Sequence, residues 1–267
     1  MATDDESVLA RIMQQVLREA ADFSFDLTPP HMGQRIHRIV RRESGHPDPY
    51  REQKIRCNRL AAELYPRLKE EVSSADRPMD FALRLAIAGN VIDFGPPGGN
   101  PSVSLRHVAE AARRETLAVD DSARFWSAVK TAGRILYLGD NAGEVFFDRL
   151  LLEYLPAEKV TFVVRGGPII NDITLNDLDG VGLEKIVTVI DNGSDAPGTV
   201  LEDCSPEFRR HFETADLILS KGQGNYETLS GIKDRHIFYL LKAKCPVLAR
   251  DLGVPEGSMV VRGSGPL

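Results

Sequence analysis

Four short segments of this sequence hold most of the side chains that could bind a cation or a phosphate. They are Gly139-Asp140-Asn141-Ala142-Gly143-Glu144, Arg165-Gly166-Gly167-Pro168-Ile169-Ile170-Asn171-Asp172, Asp191-Asn192-Gly193-Ser194-Asp195 and Ser220-Lys221-Gly222-Gln223-Gly224-Asn225. The first three are rich in Asp and Asn, whose oxygens suit hard or borderline divalent cations such as Mg²⁺, Mn²⁺ or Co²⁺. None contains a histidine, so the thiolate or imidazole set expected for zinc or copper is missing from them. The fourth joins Lys221 to two glycines, a pattern suited to phosphate: glycine lets backbone N–H groups approach an anion, and lysine adds a point charge. Each segment also has a plainer reading. Asp and Asn after a strand make Asx turns and helix caps, and a lone Lys221 reads equally as a solvated surface residue. Gly139-x-x-x-Gly143 lacks the dinucleotide and P-loop fingerprints.

The elements around these segments favour the chemical reading. From Arg134 onward, short apolar runs alternate with helical patterns: Ile135 to Leu138, Val160 to Val164, Ile186 to Ile190, Leu217 to Leu219, His236 to Leu240 and Met259 to Val261. Helices are predicted between them over Val145 to Leu155 and Pro206 to Thr214, the latter with Ser205 as N-cap and Pro206 at the first position. Alternating strand and helix predicts an α/β fold with a three-layer, Rossmann-like, mostly parallel sheet. The four polar segments then share one edge of one sheet, the carboxyl ends of the strands, where such folds bind ligands.

The first half reads as helical. Val8, Ile12, Val16 and then Ile36, Ile39, Val40 recur at helical spacing on either side of Pro29-Pro30. Ile55, Leu60 and Leu64 follow, with Pro66 as a kink or stop, and then Leu83, Ile87 and Val91 in a helix from Met79 to about Val91. Gly95-Pro96-Pro97-Gly98-Gly99-Asn100-Pro101 breaks the pattern, and two further helices are expected over Leu105 to Arg114 and Ser122 to Ala132. The expected division is an N-terminal all-helical subdomain over 1–132 and an α/β domain over 133–267. At the end of the fourth helical stretch, Asn90 and Asp93 read first as a C-cap and alternatively as a wall of the pocket.

Composition narrows the function classes. The 267 residues are 42% apolar and 27% charged, as expected of a folded chain, and the net charge of −6 argues against nucleic acid or an anionic membrane as partner. Cys57, Cys204 and Cys245 are widely spaced and suggest neither a zinc cluster nor a disulfide framework. The acidic, amphipathic start MATDDESVLARIMQQVL has no signal-peptide pattern, and no stretch approaches the roughly 20 apolar residues of a membrane span. A cytoplasmic location is the expectation.

At its polar loops the sequence resembles the damage-control phosphatases, long catalogued as a domain of unknown function (number eighty-nine), and most of all their prokaryotic single-domain branch. The resemblance rests on YLGDNAGEVFFD (Tyr137 to Asp148), VVRGGPIINDIT (Val163 to Thr174), IDNGSDAPGT (Ile190 to Thr199), SKGQGNYETL (Ser220 to Leu229), LLKAKCPVLARDLGV (Leu240 to Val254) and AIAGNVIDFG (Ala86 to Gly95). It implies a metal-dependent phosphatase of small phosphate esters, sugar phosphates or damaged phosphometabolites, using one divalent ion, Mn²⁺, Co²⁺ or Ni²⁺ ahead of Mg²⁺. It also implies Asp140, Asn141 and Asp172 as metal ligands and Lys221 as the phosphate lysine. Glu144, Asn225, Asn90 and Asp93 fall on further pocket positions. Arg165, Gly222 and Gly224 complete the expected phosphate-binding set. Prokaryotic relatives usually begin with a C-x-x-C segment, and the sequence starts beyond where that would lie, so no redox or second-metal role of that segment is expected. The attacking group is either a water activated by the cation or Asp140 itself. Two rivals remain: an S-adenosylmethionine-dependent methyltransferase, suggested by the Gly-Asp-x-x-Gly turn after the first strand, and a phosphometabolite sensor without turnover.

Overall fold

A computed structural model describes residues 2–89 and 101–265, with side chains described outside 101–107. Four helices come first: α1 (Glu6–Ala21), α2 (Pro29–Ser44), α3 (Arg51–Ser73) and α4 (Pro78–Ala88). Asp5 caps α1 by accepting from the Ser7 and Val8 N–H groups, and Pro29 stands in the first turn of α2, where its missing N–H costs nothing. Pro66 neither ends nor divides α3. The helix runs through it, and the burial of Leu68 and Val72 beyond the proline offsets the lost backbone bond. Every residue of α4 from Leu85 to Ala88 is buried, as are Ala82 and Leu83, so this helix is an inner wall rather than a surface element. Asn90 and Asp93 lie outside the described residues.

After α5 (Pro101–Arg114) the chain forms β1 (Leu117–Asp120), α6 (Ser122–Thr131), β2 (Ile135–Leu138), α7 (Val145–Leu152), β3 (Val160–Val164), β4 (Thr188–Asp191), α8 (Pro206–Thr214), β5 (Leu217–Lys221), α9 (Gly222–Leu229), β6 (Ile237–Lys242), α10 (Pro246–Leu252) and β7 (Met259–Ser264). The seven strands form one sheet in the order β1-β7-β6-β5-β2-β3-β4. The five from β6 to β4 are parallel, β7 is antiparallel to β6, and β1 pairs parallel with β7. The expected α/β architecture therefore holds. Its sheet has one strand more than the apolar runs predict, because Leu117–Asp120 lies inside the stretch read as helical.

Alternation along the strands builds two cores. Ile135, Tyr137, Phe162, Leu217, Leu219, Phe238 and Leu240 face the side covered by α3–α7, while Leu136, Leu138, Val163, Ile218, Ile237, Tyr239 and Leu241 face α8–α10. The chain lays β2 in the middle, adds β3 and β4 on one side, then returns to add β5 and β6 on the other. The crevice between the carboxyl ends of β2 and β5 is thus the topological switch point of the sheet. Among the described residues no helix is long and apolar enough to cross a membrane.

Candidate active site

Two loops are knitted together over the end of β2. The Ile173 N–H donates to the Asp140 carbonyl and the Ala142 N–H to the Asn171 carbonyl, both at 2.9 Å, and Asn141 and Asp172 form an antiparallel bridge. Asp172 is therefore held beside Asp140 and Asn141, from which it is distant in sequence, and all three are buried. The second loop bends through Ile170, the one non-glycine residue at positive φ (42°) among the described residues, a costly conformation for a β-branched side chain. From the helical half, Asn58 of α3 accepts from the Gly143 N–H (2.6 Å) and donates to the Asp177 carbonyl (2.7 Å), bridging both loops. Lys54, fully buried one turn earlier, donates to Asp177 at 2.8 Å and pairs with Asp48, while the same Asp177 oxygen caps Thr174.

Charge is unevenly balanced here. Arg165 Nε donates to Asp172 Oδ2 at 2.7 Å, its Nη1 donates to Asn225 Oδ1 at 3.1 Å, and its Nη2 lies 3.7 Å from Asp140 Oδ1. Lys221, at the end of β5, has no exposed surface and donates to both Glu144 and Asp148. Asp140, Glu144, Asp148 and Asp172 are thus four buried carboxyl groups around the two buried cations Arg165 and Lys221, with the charge of Lys244 also reaching Asp140. Burial first, then the charges of Glu144 and Asp172, push the Asp140 carboxyl up to about 8. Asp148 is pushed up to about 6 by burial, against the pull of Lys221, and Asp172 is raised by burial against the pull of Arg165. Burial alone would lower Lys221, but Asp148 and Glu144 more than offset it and hold the ammonium above its ordinary value.

This arrangement fits one divalent cation. Asp140 and Asp172 flank Asn141, whose Nδ2 donates to Asp140 (2.8 Å) and Glu144 (2.9 Å), so that its amide oxygen is turned away from these two carboxyl groups. A dication would favour the ionised forms of Asp140 and Asp172, which burial otherwise disfavours. Among the described residues no set of three His, Cys, Asp or Glu side chains is placed to hold a metal; the set here is two carboxylates with an amide oxygen. Arg165 Nη2 is buried with no hydrogen-bond partner among the described residues, a donor held among carboxylates.

The other expected residues have distinct surroundings. Asn225 is wholly spent on structure: its oxygen accepts from Arg165 and Thr199, and its nitrogen donates to the Gly139 and Lys221 carbonyls. Gly222 turns from β5 into α9 at φ 79°, and at Gly224 a Cβ would lie 1.9 Å from the Pro197 carbonyl oxygen. Close approach of the 197–198 backbone accounts for the second glycine. Lys221 is not a surface lysine. The loop after β4 packs against the 165–167 loop and α2: the Gly166 N–H lies between the Asn192 side chain and the Ser194 carbonyl as acceptors, and Asp195 accepts from Gln34, Arg38 and Arg41 of α2. Sequence reading passed over Asp148, Tyr137, Asn58 and Lys54. Asp148 carried one usable signal, standing four residues after Glu144 and so above it on a helix.

The chain as a whole is similar to known proteins. The family model for the damage-control phosphatase ARMT1-like domain matches residues 1–260. A damage-control phosphatase from Pyrococcus horikoshii is 39% identical over 266 residues, covering 97% of this chain and 90% of its own. One from Archaeoglobus fulgidus is 38% identical over 267 residues, covering 98% and 92%. An uncharacterized protein from Methanocaldococcus jannaschii is 36% identical, covering 97% and 88%. The crystal structure of a protein from Pyrococcus horikoshii, described as a member of the family of domain of unknown function 89, superimposes with a TM-score of 0.89 at 38% identity, over 98% of this chain and 92% of that one.

Proposed function

From the premise that this chain belongs to the damage-control phosphatase ARMT1-like family, we propose that it hydrolyses small phosphate monoesters with a divalent cation held by Asp140, Asn141 and Asp172. The observation that carries the reading is the crowding of four buried carboxyl groups around Arg165 and Lys221 at the switch point of the sheet. Arg165 and Lys221 offset only part of the cost of burying Asp140, Glu144, Asp148 and Asp172 together, and a bound divalent cation would offset more of it. When bound, the cation supplies Lewis-acid polarisation of the phosphoryl group.

The protein's own residues do the rest. Arg165 anchors Asp172 through Nε and presents Nη2 as a donor to phosphoryl oxygen, where charge develops as the ester bond breaks. Lys221 acts from beneath the site: committed to Glu144 and Asp148, it offsets part of their charge and holds Glu144 in place instead of gripping the phosphate from the surface. Asn225 keeps Arg165 in plane and ties the ends of β2 and β5 together. The substrate class of sugar phosphates or damaged phosphometabolites, and the preference for Mn²⁺, Co²⁺ or Ni²⁺ over Mg²⁺, belong to the same proposal.

The test is inorganic phosphate release from a panel of small phosphate esters with each divalent metal in turn. Turnover above the metal-free control, lost in Asp140→Ala and Asp172→Ala, is the expected result. Full metal-dependent activity in either variant would remove the site assignment. Saturable ester binding with no phosphate release under any metal would establish the sensor reading, and metal-independent S-adenosylmethionine binding the methyltransferase one.

A further inference from the structure

A string of buried side chains runs from the middle of β2 to the cation-side loops. The Tyr137 hydroxyl donates to Asp148 Oδ1 at 2.7 Å. Lys221 donates to that same oxygen and to Glu144 Oε1. Glu144 Oε2 accepts from Asn141 Nδ2 at 2.9 Å, and this nitrogen also donates to Asp140 Oδ2 at 2.8 Å. Every link is donor to acceptor, and Tyr137, Glu144, Asp148 and Lys221 are all at most 1% exposed.

Asn141 is the member of the ligand set that can be wrong. An amide turned over would aim N–H groups at a cation instead of its oxygen. Asp140, itself a ligand, is drawn toward the cation, so Glu144 is the acceptor that keeps the amide nitrogen turned inward. Glu144 is held by Lys221, and Lys221 is held from its other side by Asp148. One carboxylate would suffice to neutralise a buried lysine. A second one, with a tyrosine hydroxyl committed to it, adds desolvation cost and fixes direction.

We propose that Asp148, braced by Tyr137, is a positioning residue for the cation site: it anchors Lys221 so that Glu144 stays on the Asn141 amide, and so fixes the oxygen face offered to a divalent cation. The inference rests on the phosphatase reading, in which Asp140, Asn141 and Asp172 take that cation.

Mn²⁺ binding to the full chain, measured by calorimetry on wild type, Asp148→Asn, Tyr137→Phe and Asp140→Ala, tests it, with the metal-free Tm of each variant recorded alongside. Asp148→Asn is expected to weaken Mn²⁺ binding by roughly 10- to 100-fold, the usual range for a lost outer partner of a metal ligand. Tyr137→Phe should shift it less, in the same direction. At saturating Mn²⁺ the KM for the phosphate ester should be that of the wild type. A lowered Tm with wild-type Mn²⁺ affinity in Asp148→Asn would reduce the residue to a structural ion pair and overturn the proposal. Should Asp148→Asn fail to fold, Tyr137→Phe decides, because it keeps the carboxylate and removes only its brace; unchanged affinity there overturns the proposal equally. Wild-type affinity in Asp140→Ala would sink the cation site itself. Affinity lost in Asp140→Ala but kept in Asp148→Asn would sink this inference alone.

Discussion

Asp140 and Asp195 follow strands of the same sheet, in loops of nearly the same composition, and end in opposite electrostatic states. Asp140 is crowded by Glu144 and Asp172 and held well above the carboxylate range. Burial alone would also raise Asp195, but hydrogen bonds from Arg38 and Gln34 and the charges of Arg38 and Arg41 more than offset it and hold the group below its ordinary value. In one loop the ionised carboxylate is disfavoured by its surroundings; in the other it is favoured and fastens α2 to the sheet. An Asp-Asn-Gly loop at a strand end is therefore no guide to function by itself, whereas the balance of charge around it is.

Exchange of roles between the two loops would break this contrast. Asp140→Ala or Asp172→Ala is expected to lower phosphatase kcat/KM on the order of 10³-fold, with a metal-free Tm equal to or above that of the wild type because repulsion is relieved. Asp195→Ala should stay within a few-fold of wild-type activity. Equal losses in both loops would erase the distinction. Saturating Mn²⁺, at about 100 times its Kd, should stabilise wild type and Asp195→Ala alike by about 2.7 kcal/mol and leave Asp140→Ala unmoved, as read by thermal or urea unfolding. Without metal, Asp195→Ala should cost about 1–3 kcal/mol in urea unfolding, since three charged or polar partners on α2 lose their acceptor.

The smallest effect is a pH dependence. Because the folded-state pKa of Asp195 lies below its unfolded value of about 3.9, its contribution is fully present above that value and is lost as pH falls through the lower folded one. The stability advantage of wild type over Asp195→Asn should accordingly be constant above about pH 5 and shrink below pH 4. A gap that persists unchanged to pH 2 would show that the carboxylate charge is not what fastens α2.

Much of this was legible in the chain. The central strands announced themselves as apolar runs because both faces of a parallel sheet are covered, and Asp140, Asn141, Asp172 and Arg165 stood at their ends. What escaped did so for physical reasons. β1 is only four residues long, alternately half-buried and exposed, and borders the sheet edge, so Leu117–Asp120 carries little apolar signal. Lys54 sits in the charged run REQKIRCNR, where a lysine reads as solvated; only the approach of Asp48 and Asp177 from two other segments makes it a buried cation. Asp148 hides in the apolar helix VFFDRLLL, and its partner Lys221 is 73 residues away. The partners of Asp195 were hidden too, because residue types carry no information about which cations will reach them, and Arg38 and Arg41 arrive from α2.

The outer edge of the sheet has a consequence for how the chain is made. β1, completed by residue 120, has its hydrogen-bonding partner in β7, which begins at residue 259. During synthesis the earliest strand must wait for the last one, and until β7 emerges both β1 and the outer side of β6 present unpaired backbone. Loss of the final strand would therefore unseat two elements instead of one. A truncation that stops before Met259 should yield a chain prone to edge-to-edge association, although every residue of the candidate site is already in place.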